Sequence, residues 1–182
     1  MDLPEVAGSL GPDVERRVRR SGDEGVSRFA AGAPDDVDSR VDLDAEVTRN
    51  DGRTIQVRLD LFFYAQGAAH PLNGVSTVVL RRADAVPVLL TDVLSDATPA
   101  LEAALRHASR VAAQEGRQDP ADSVSTGVEN WADWQAGPDG LTFLFDDDQP
   151  RGHASDLREL DVPWVIVRPW VRDEAYALLG PA

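Results

Sequence analysis

The sequence contains no cysteine and no lysine. Without thiols there is no disulfide framework and no thiolate zinc site, and the redox compartment is left open. All 18 cationic residues are arginine, set against 32 aspartates and glutamates, so the formal net charge is −14. That balance repels phosphate backbones and anionic membrane surfaces, which counts against nucleic acid as a partner, and it steers a basic partner inward. High acid content also serves solubility on its own. No run approaches the roughly 20 apolar residues that span a bilayer. The opening Met1-Asp2-Leu3-Pro4-Glu5 lacks the apolar core of a secretory signal. The chain therefore reads as cytoplasmic, or as extracytoplasmic or secreted after removal of a signal.

Motifs of the common catalytic classes are missing as well. There is no Gly-x-Ser-x-Gly, no Walker loop, no Gly-x-Gly-x-x-Gly turn and no His-Glu-x-x-His. The three histidines, His70, His107 and His153, lie far apart in sequence. With 32 acids some carboxylate pair is bound to exist, so its presence says little about acid–base chemistry. No catalytic residue, metal ligand or cofactor is expected.

What is present suits a globular chain: 182 residues, 42% apolar and 27% charged. Residues 12–30 read as a helix with Val14, Val18, Val26 and Phe29 about a turn apart and Arg16, Arg17, Arg19 and Arg20 outward. Gly22 and Gly25 weaken it by about 1 kcal/mol each relative to alanine. Ala31 to Asp38 reads as a linker. From Val41 the period becomes two: Val41, Leu43, Ala45 and Val47 alternate with acids and Thr48. After a turn at Asn50-Asp51-Gly52, Ile55, Val57, Leu59, Leu61 and Phe63 continue the odd-numbered apolar face. Further strands are expected at Val75–Arg81, Val86–Leu90, Leu141–Phe145 and Val162–Arg168, where Pro163 marks an edge or first position.

Thr98 is the expected N-cap of a second helix, with Pro99 at its first position. Its stripe is Leu101, Ala104, Leu105, Ala108, Val111 and Ala112, and Gly116 ends it. Arg117–Gly127 is polar and expected to be loose, and a short terminal helix carries Val171, Ala175, Leu178 and Leu179. Hairpins set apart from helices, with no repeated βαβ unit, predict an α+β fold: a twisted antiparallel sheet, two main helices and a short C-terminal helix. The expected division is an N-terminal lobe, 1–95, and a C-terminal lobe, 96–182, packed as one unit.

Several strings occur in an order similar to that of a known family. Phe62-Phe63-Tyr64-Ala65-Gln66-Gly67-Ala68-Ala69-His70 matches an aromatic strand end followed by Gly-Gly-x-His, with Ala68 in place of the second glycine. Pro87-Val88-Leu89-Leu90-Thr91-Asp92-Val93-Leu94, Glu129-Asn130-Trp131, Asp139-Gly140-Leu141-Thr142-Phe143-Leu144-Phe145 and Val162-Pro163-Trp164-Val165-Ile166 follow in register. Over roughly residues 41–180 the chain resembles the RsiV-like domains. These occur as the extracellular domain of RsiV-type anti-sigma factors, as a mycobacterial secreted immunogenic protein, and as accessory domains of some peptidoglycan deacetylases. The chain departs from them at Asp146-Asp147-Asp148-Gln149-Pro150-Arg151-Gly152-His153, where the family has a tyrosine-containing segment followed by Ala-Gly-Pro. The resemblance implies an exported, non-enzymatic domain in a cell-wall setting and, in the anti-sigma branch, a sensor of lysozyme, a basic protein.

The binding candidates follow from loops and exposed aromatics. Tyr64, Gly67 and His70 sit where a strand end presents side chains, although His70 is equally able to hydrogen-bond loop backbone while Gly67 supplies a positive φ. Asp146, Asp147, Asp148 and His153 form an acidic loop. Its consecutive acids lack the alternate spacing of a calcium loop and read as solvated. Trp164 and Trp170 are assigned to the core, whereas Trp131 and Trp134 are expected at the surface as a binding platform. The function expected is recognition of a basic or cell-wall-associated protein. The alternatives are a cell-wall-acting enzyme using carboxylates, with or without a metal, and a secreted protein without a dedicated ligand.

Overall fold

The computed structural model describes residues 11–30, 39–122, 124–146 and 158–181. The fold is α+β, and the chain forms two compact units, Met1–Pro87 and Val88–Ala182. No helix among the described residues is long and apolar enough to cross a membrane.

In the first unit, helix α1 (Pro12–Ala30) packs on an antiparallel sheet of β1 (Ser39–Asn50), β2 (Thr54–Ala65) and β3 (Leu72–Arg81), in the order β1-β2-β3. The period-two pattern produces the expected hairpin: Val41 pairs with Phe63, Leu43 with Leu61, Ala45 with Leu59 and Val47 with Val57. Shared parity puts both apolar sets on one face, because a slip of one residue would reverse every side chain. At Thr48 the register shifts, so Arg49 meets Gln56 and Asn50 meets Ile55. Val14 and Val18 of α1 close over Ile55, Val57, Leu59, Val78 and Leu80. Each such burial contributes about 1.5–3 kcal/mol. Gly22 and Gly25, which weaken α1 in isolation, are buried on its inner side. A Cβ at Gly25 would lie 3.2 Å from Leu61 Cδ2, so the glycine trades helix propensity for close approach to β2.

The turn of this hairpin is built on one carboxylate. Asp51 Oδ1 accepts the backbone N–H groups of Arg53 (2.8 Å) and Thr54 (2.7 Å), while Oδ2 meets Arg49 Nε at 2.6 Å. Burial pushes the Asp51 pKa up, but those donors outweigh it and bring it down to about 2. On β1 the N–H of Ala45 is accepted by the carboxylate of the preceding residue, Asp44, at 2.9 Å.

The second unit holds α2 (Leu90–Val93), α3 (Ala97–Glu115), β4 (Trp134–Ala136), β5 (Gly140–Leu144), β6 (Glu159–Pro163), α4 (Trp164–Val167) and α5 (Asp173–Leu179). Its sheet is antiparallel in the order β4-β5-β6. The expected α3 stripe is buried at Leu101, Ala104, Leu105, Ala108 and Ala112, and Gly116, at φ +67°, ends the helix.

Four local expectations are corrected. Val86–Leu90 is not a strand: only Pro87 bridges Leu80, and the Asp92 carboxylate accepts the Leu89 N–H at 3.0 Å to start a helical turn. Val162–Arg168 ends as a strand at Pro163, after which Trp164–Val167 is helical. Pro163 sits on the edge strand at its last position, and the N–H of Trp164 turns away to the Asp139 carbonyl (2.9 Å). The N-cap of α3 is Asp96, not Thr98. Thr98 and Pro99 both lie in the first turn, where a missing N–H costs no helical bond. Finally, Arg117–Gly127 is not loose throughout: Pro120–Asp122 forms a 3-10 turn that packs on α3, Val124 is buried, and Asp119 accepts the Ser109 hydroxyl (2.5 Å) and the Ala121 N–H (2.9 Å).

Candidate functional site

Tyr64, Gly67 and His70 share one loop of the first unit. Tyr64, near the end of β2, is 38% exposed. Gly67 has φ +88°, and the turn closes through Ala68 N–H to the Ala65 carbonyl at 3.0 Å. His70 is exposed, with Nδ1 3.0 Å from the Pro71 carbonyl oxygen. Along β1 and β2 from this loop, the exposed sheet positions include four acids, Asp42, Asp44 and Glu46 on β1 and Asp60 on β2, beside Arg40, Thr48 and Asn50. Asp44 and Asp60 are directly opposite, a like-charge pair, while Arg40 and Arg58 offset Asp42 (2.7 Å) and Asp60 (2.9 Å).

The surface placement expected for Trp131 and Trp134 is corrected, since they are 0% and 3% exposed. Trp131 meets Phe143 and Phe145 edge-on, with ring centroids 4.8 and 5.6 Å away, and donates its indole N–H to the Ser125 carbonyl at 2.8 Å. With the N–H satisfied, the ring belongs in the core. Trp134 lies in β4, paired with Phe143. Trp164 is buried as expected, donating to the Gly137 carbonyl (3.0 Å), and Trp170 is half-buried. Asp146 is half-buried, and Asp147, Asp148 and His153 lie outside the described residues.

One concave surface escaped the sequence reading. Between the outer side of α3 and α4 lies an open hollow of about 620 Å³. Its apolar wall is formed by Ala103, Leu105, Ala121, Val165 and Ile166. Val165 is 79% exposed. Its polar wall carries Glu102, Arg106, Ser109 and Arg110; Arg106 follows Glu102 by four residues, and Ser109 and Arg110 follow Arg106 by three and four, which places them on one side of α3. Glu102 meets Arg106 at 3.5 Å, and the Ser109 hydroxyl is committed to Asp119. Nearby His107 has its pKa lowered, first by burial and then by Arg110. The signal available in the sequence was Pro163. Read as a strand terminator, it would have turned Val165 and Ile166 from strand interior to helix surface. Among the described residues no group of three His, Cys, Asp or Glu side chains is placed to hold a metal.

No protein-family model matches the sequence, and no curated protein matches it. Solved structures do. A DUF3298 family protein from Pseudomonas aeruginosa PAO1 superposes with a TM-score of 0.65 at 17% identity, over 94% of this chain and 82% of that one. The fold resembles that of solved DUF3298 proteins. A second member, from Bacteroides fragilis NCTC 9343, matches at a TM-score of 0.57 and 15% identity, over 87% of this chain and 64% of that one. At these identities the likeness concerns the fold alone. Three residues from two of the strings that carry the family resemblance have structural work in this chain. Asn130 Nδ2 donates to Ser125 Oγ (2.7 Å) beside the buried Trp131, and Asp139 accepts the N–H that starts α4. Gly140 leaves room for β6, because a Cβ there would collide with the Val162 carbonyl.

Proposed function

We propose that this chain is a non-enzymatic recognition domain, extracytoplasmic in setting, that binds a basic protein of the kind lysozyme represents. The observation that carries this reading is the acidic face of the β1–β2 hairpin, where Asp42, Asp44, Glu46 and Asp60 are exposed on a strand pair that leads to the exposed Tyr64 and His70. In a chain of net charge −14 such a face attracts cationic surfaces and raises the association rate. RsiV-like domains are related to the DUF3298 fold, and the ligand class comes from the sequence resemblance alone.

Titration of the protein with lysozyme and with a neutral protein of similar size, at two salt concentrations, tests this. The expected result is saturable lysozyme binding that weakens about tenfold or more as salt rises, with no signal for the neutral protein. Equal or absent signals for the two proteins would remove the reading.

A further inference from the structure

The hollow between α3 and α4 has a chemistry opposite to the net charge of the chain. Its floor is apolar, and two guanidinium groups, Arg106 and Arg110, stand beside it. Among the described residues the one carboxylate that Arg106 meets is Glu102, at a stretched 3.5 Å. Among the described residues Arg110 meets no carboxylate, and its one hydrogen bond is a long one, 3.4 Å, to the Arg106 carbonyl on its own helix. A chain with 32 acids leaves these cations beside an apolar wall from which Val165 projects, 79% exposed. Large apolar side chains so exposed next to a concave surface mark docking sites more often than isolated ones do.

The occupant follows from shape and charge. A small-molecule pocket encloses most of its ligand's surface, which this open hollow cannot do. A second copy of the chain would bring another −14 of charge against the first. An amphipathic segment laid along a helix groove needs an apolar wall and charges on the rim, and both are here. We propose that this groove docks an amphipathic, acidic segment of a partner protein, its apolar side chains covering Val165 and Ile166 and its carboxylates pairing with Arg106 and Arg110. This site is independent of the acidic hairpin face, so one protein has a surface for cations and another for anions.

The test uses two short fluorescein-labelled peptides that share leucines at helical spacing and differ only in carrying glutamate or lysine beside them. Fluorescence anisotropy at low salt should show the glutamate peptide binding about tenfold or more tightly than the lysine peptide. The double variant Arg106→Glu, Arg110→Glu should reverse that preference. Val165→Asp, at an exposed position, should weaken the glutamate peptide about tenfold with an unchanged melting curve. Val165→Asp, which changes the net charge by only one, should leave lysozyme binding essentially unchanged, so the two readings fail separately. Three results would overturn the proposal: no binding of the glutamate peptide, equal binding of both peptides, or a charge reversal without effect. Sedimentation showing a dimer dissolved by Val165→Asp would reassign the groove to a second copy, and displacement of the peptide by laurate would reassign it to a small amphiphile.

Discussion

In the unit Met1–Pro87 the buried residues recur at fixed spacing: Val14 and Val18 on α1, then Ile55, Val57, Leu59, Leu61 and Phe63 on β2. In the unit Val88–Ala182 α3 follows such a rule at length, while β4, β5 and β6 alternate over only three to five residues each. The rest depends on individual fits: an indole N–H reaching Ser125, another reaching Gly137, and a glycine where β6 crosses close to β5. A core built by repetition spreads its stabilisation over many similar contacts. A core built around one large aromatic concentrates it, and deletion at that point leaves a larger hole.

The largest expected effect tests this contrast directly. Trp131→Ala should cost about 3–5 kcal/mol, because it opens a cavity between Phe143 and Phe145 and leaves the Ser125 carbonyl without its donor. Leu59→Ala, at the centre of the first unit and fully buried, should cost about 2–5 kcal/mol. Urea unfolding of both variants compares them, and a smaller loss for Trp131→Ala would reverse the ranking of the two cores.

A smaller effect separates the units by pH. The Asp51 pKa falls to about 2 in the folded chain, against 3.8 for the free group. A depressed carboxylate stabilises above its unfolded pKa, and that contribution is lost as pH falls from about 4 to about 2. Asp51 is about a third exposed, so solvent screening leaves about 1 kcal/mol of it. Asp51→Asn should lower stability by that amount at pH 7, and most of that difference should be gone at pH 2, where the folded carboxyl is about half protonated. An equal loss at both pH values would show that turn geometry, not the charge, supplies the effect.

The smallest effect concerns Gly25. Glycine to alanine within a helix ordinarily gains about 1 kcal/mol. Here the new Cβ would press on Leu61, itself 3% exposed, so Gly25→Ala should give no gain in melting temperature. A clear rise would show that β2 yields, and that the first unit is less tightly fitted than its regular pattern implies.

The same contrast decides what could be read from the sequence. Period-two alternation from Val41 to Phe63 and the α3 stripe are local signals repeated many times, and both were legible, including parity and the Asn50-Asp51-Gly52 turn. Of the short elements, β5 and the C-terminal helix α5 were legible, but β4 and α4 were not. β4 is three residues long, too short for a period to show. α4 follows Pro163, in a run of Val162, Trp164, Val165 and Ile166 whose β-branched and aromatic side chains favour a strand. Tertiary fit overrides that preference, because Trp164 is drawn onto Gly137 and Tyr176. For the same reason the groove beside Val165 was invisible, since it exists only once α4 is helical. Trp131 was misplaced because polar neighbours suggest a surface, whereas Ser125 and Asn130 serve to satisfy its surroundings.

Strand β1 ends its sheet, and two of its details have a bearing on how the protein behaves at high concentration. A sheet margin with free amide groups is a template onto which another chain can add and from which fibrils grow. On β1 the amide of Ala45 is already taken by the carboxylate of its neighbour Asp44. The irregularity at Thr48 bends the strand where a straight newcomer would have to lie. The aspartates that give the hairpin its charge thus also guard its rim. An incoming strand would have to displace a carboxylate, pass the irregularity and tolerate like charge, each of which disfavours addition at this margin.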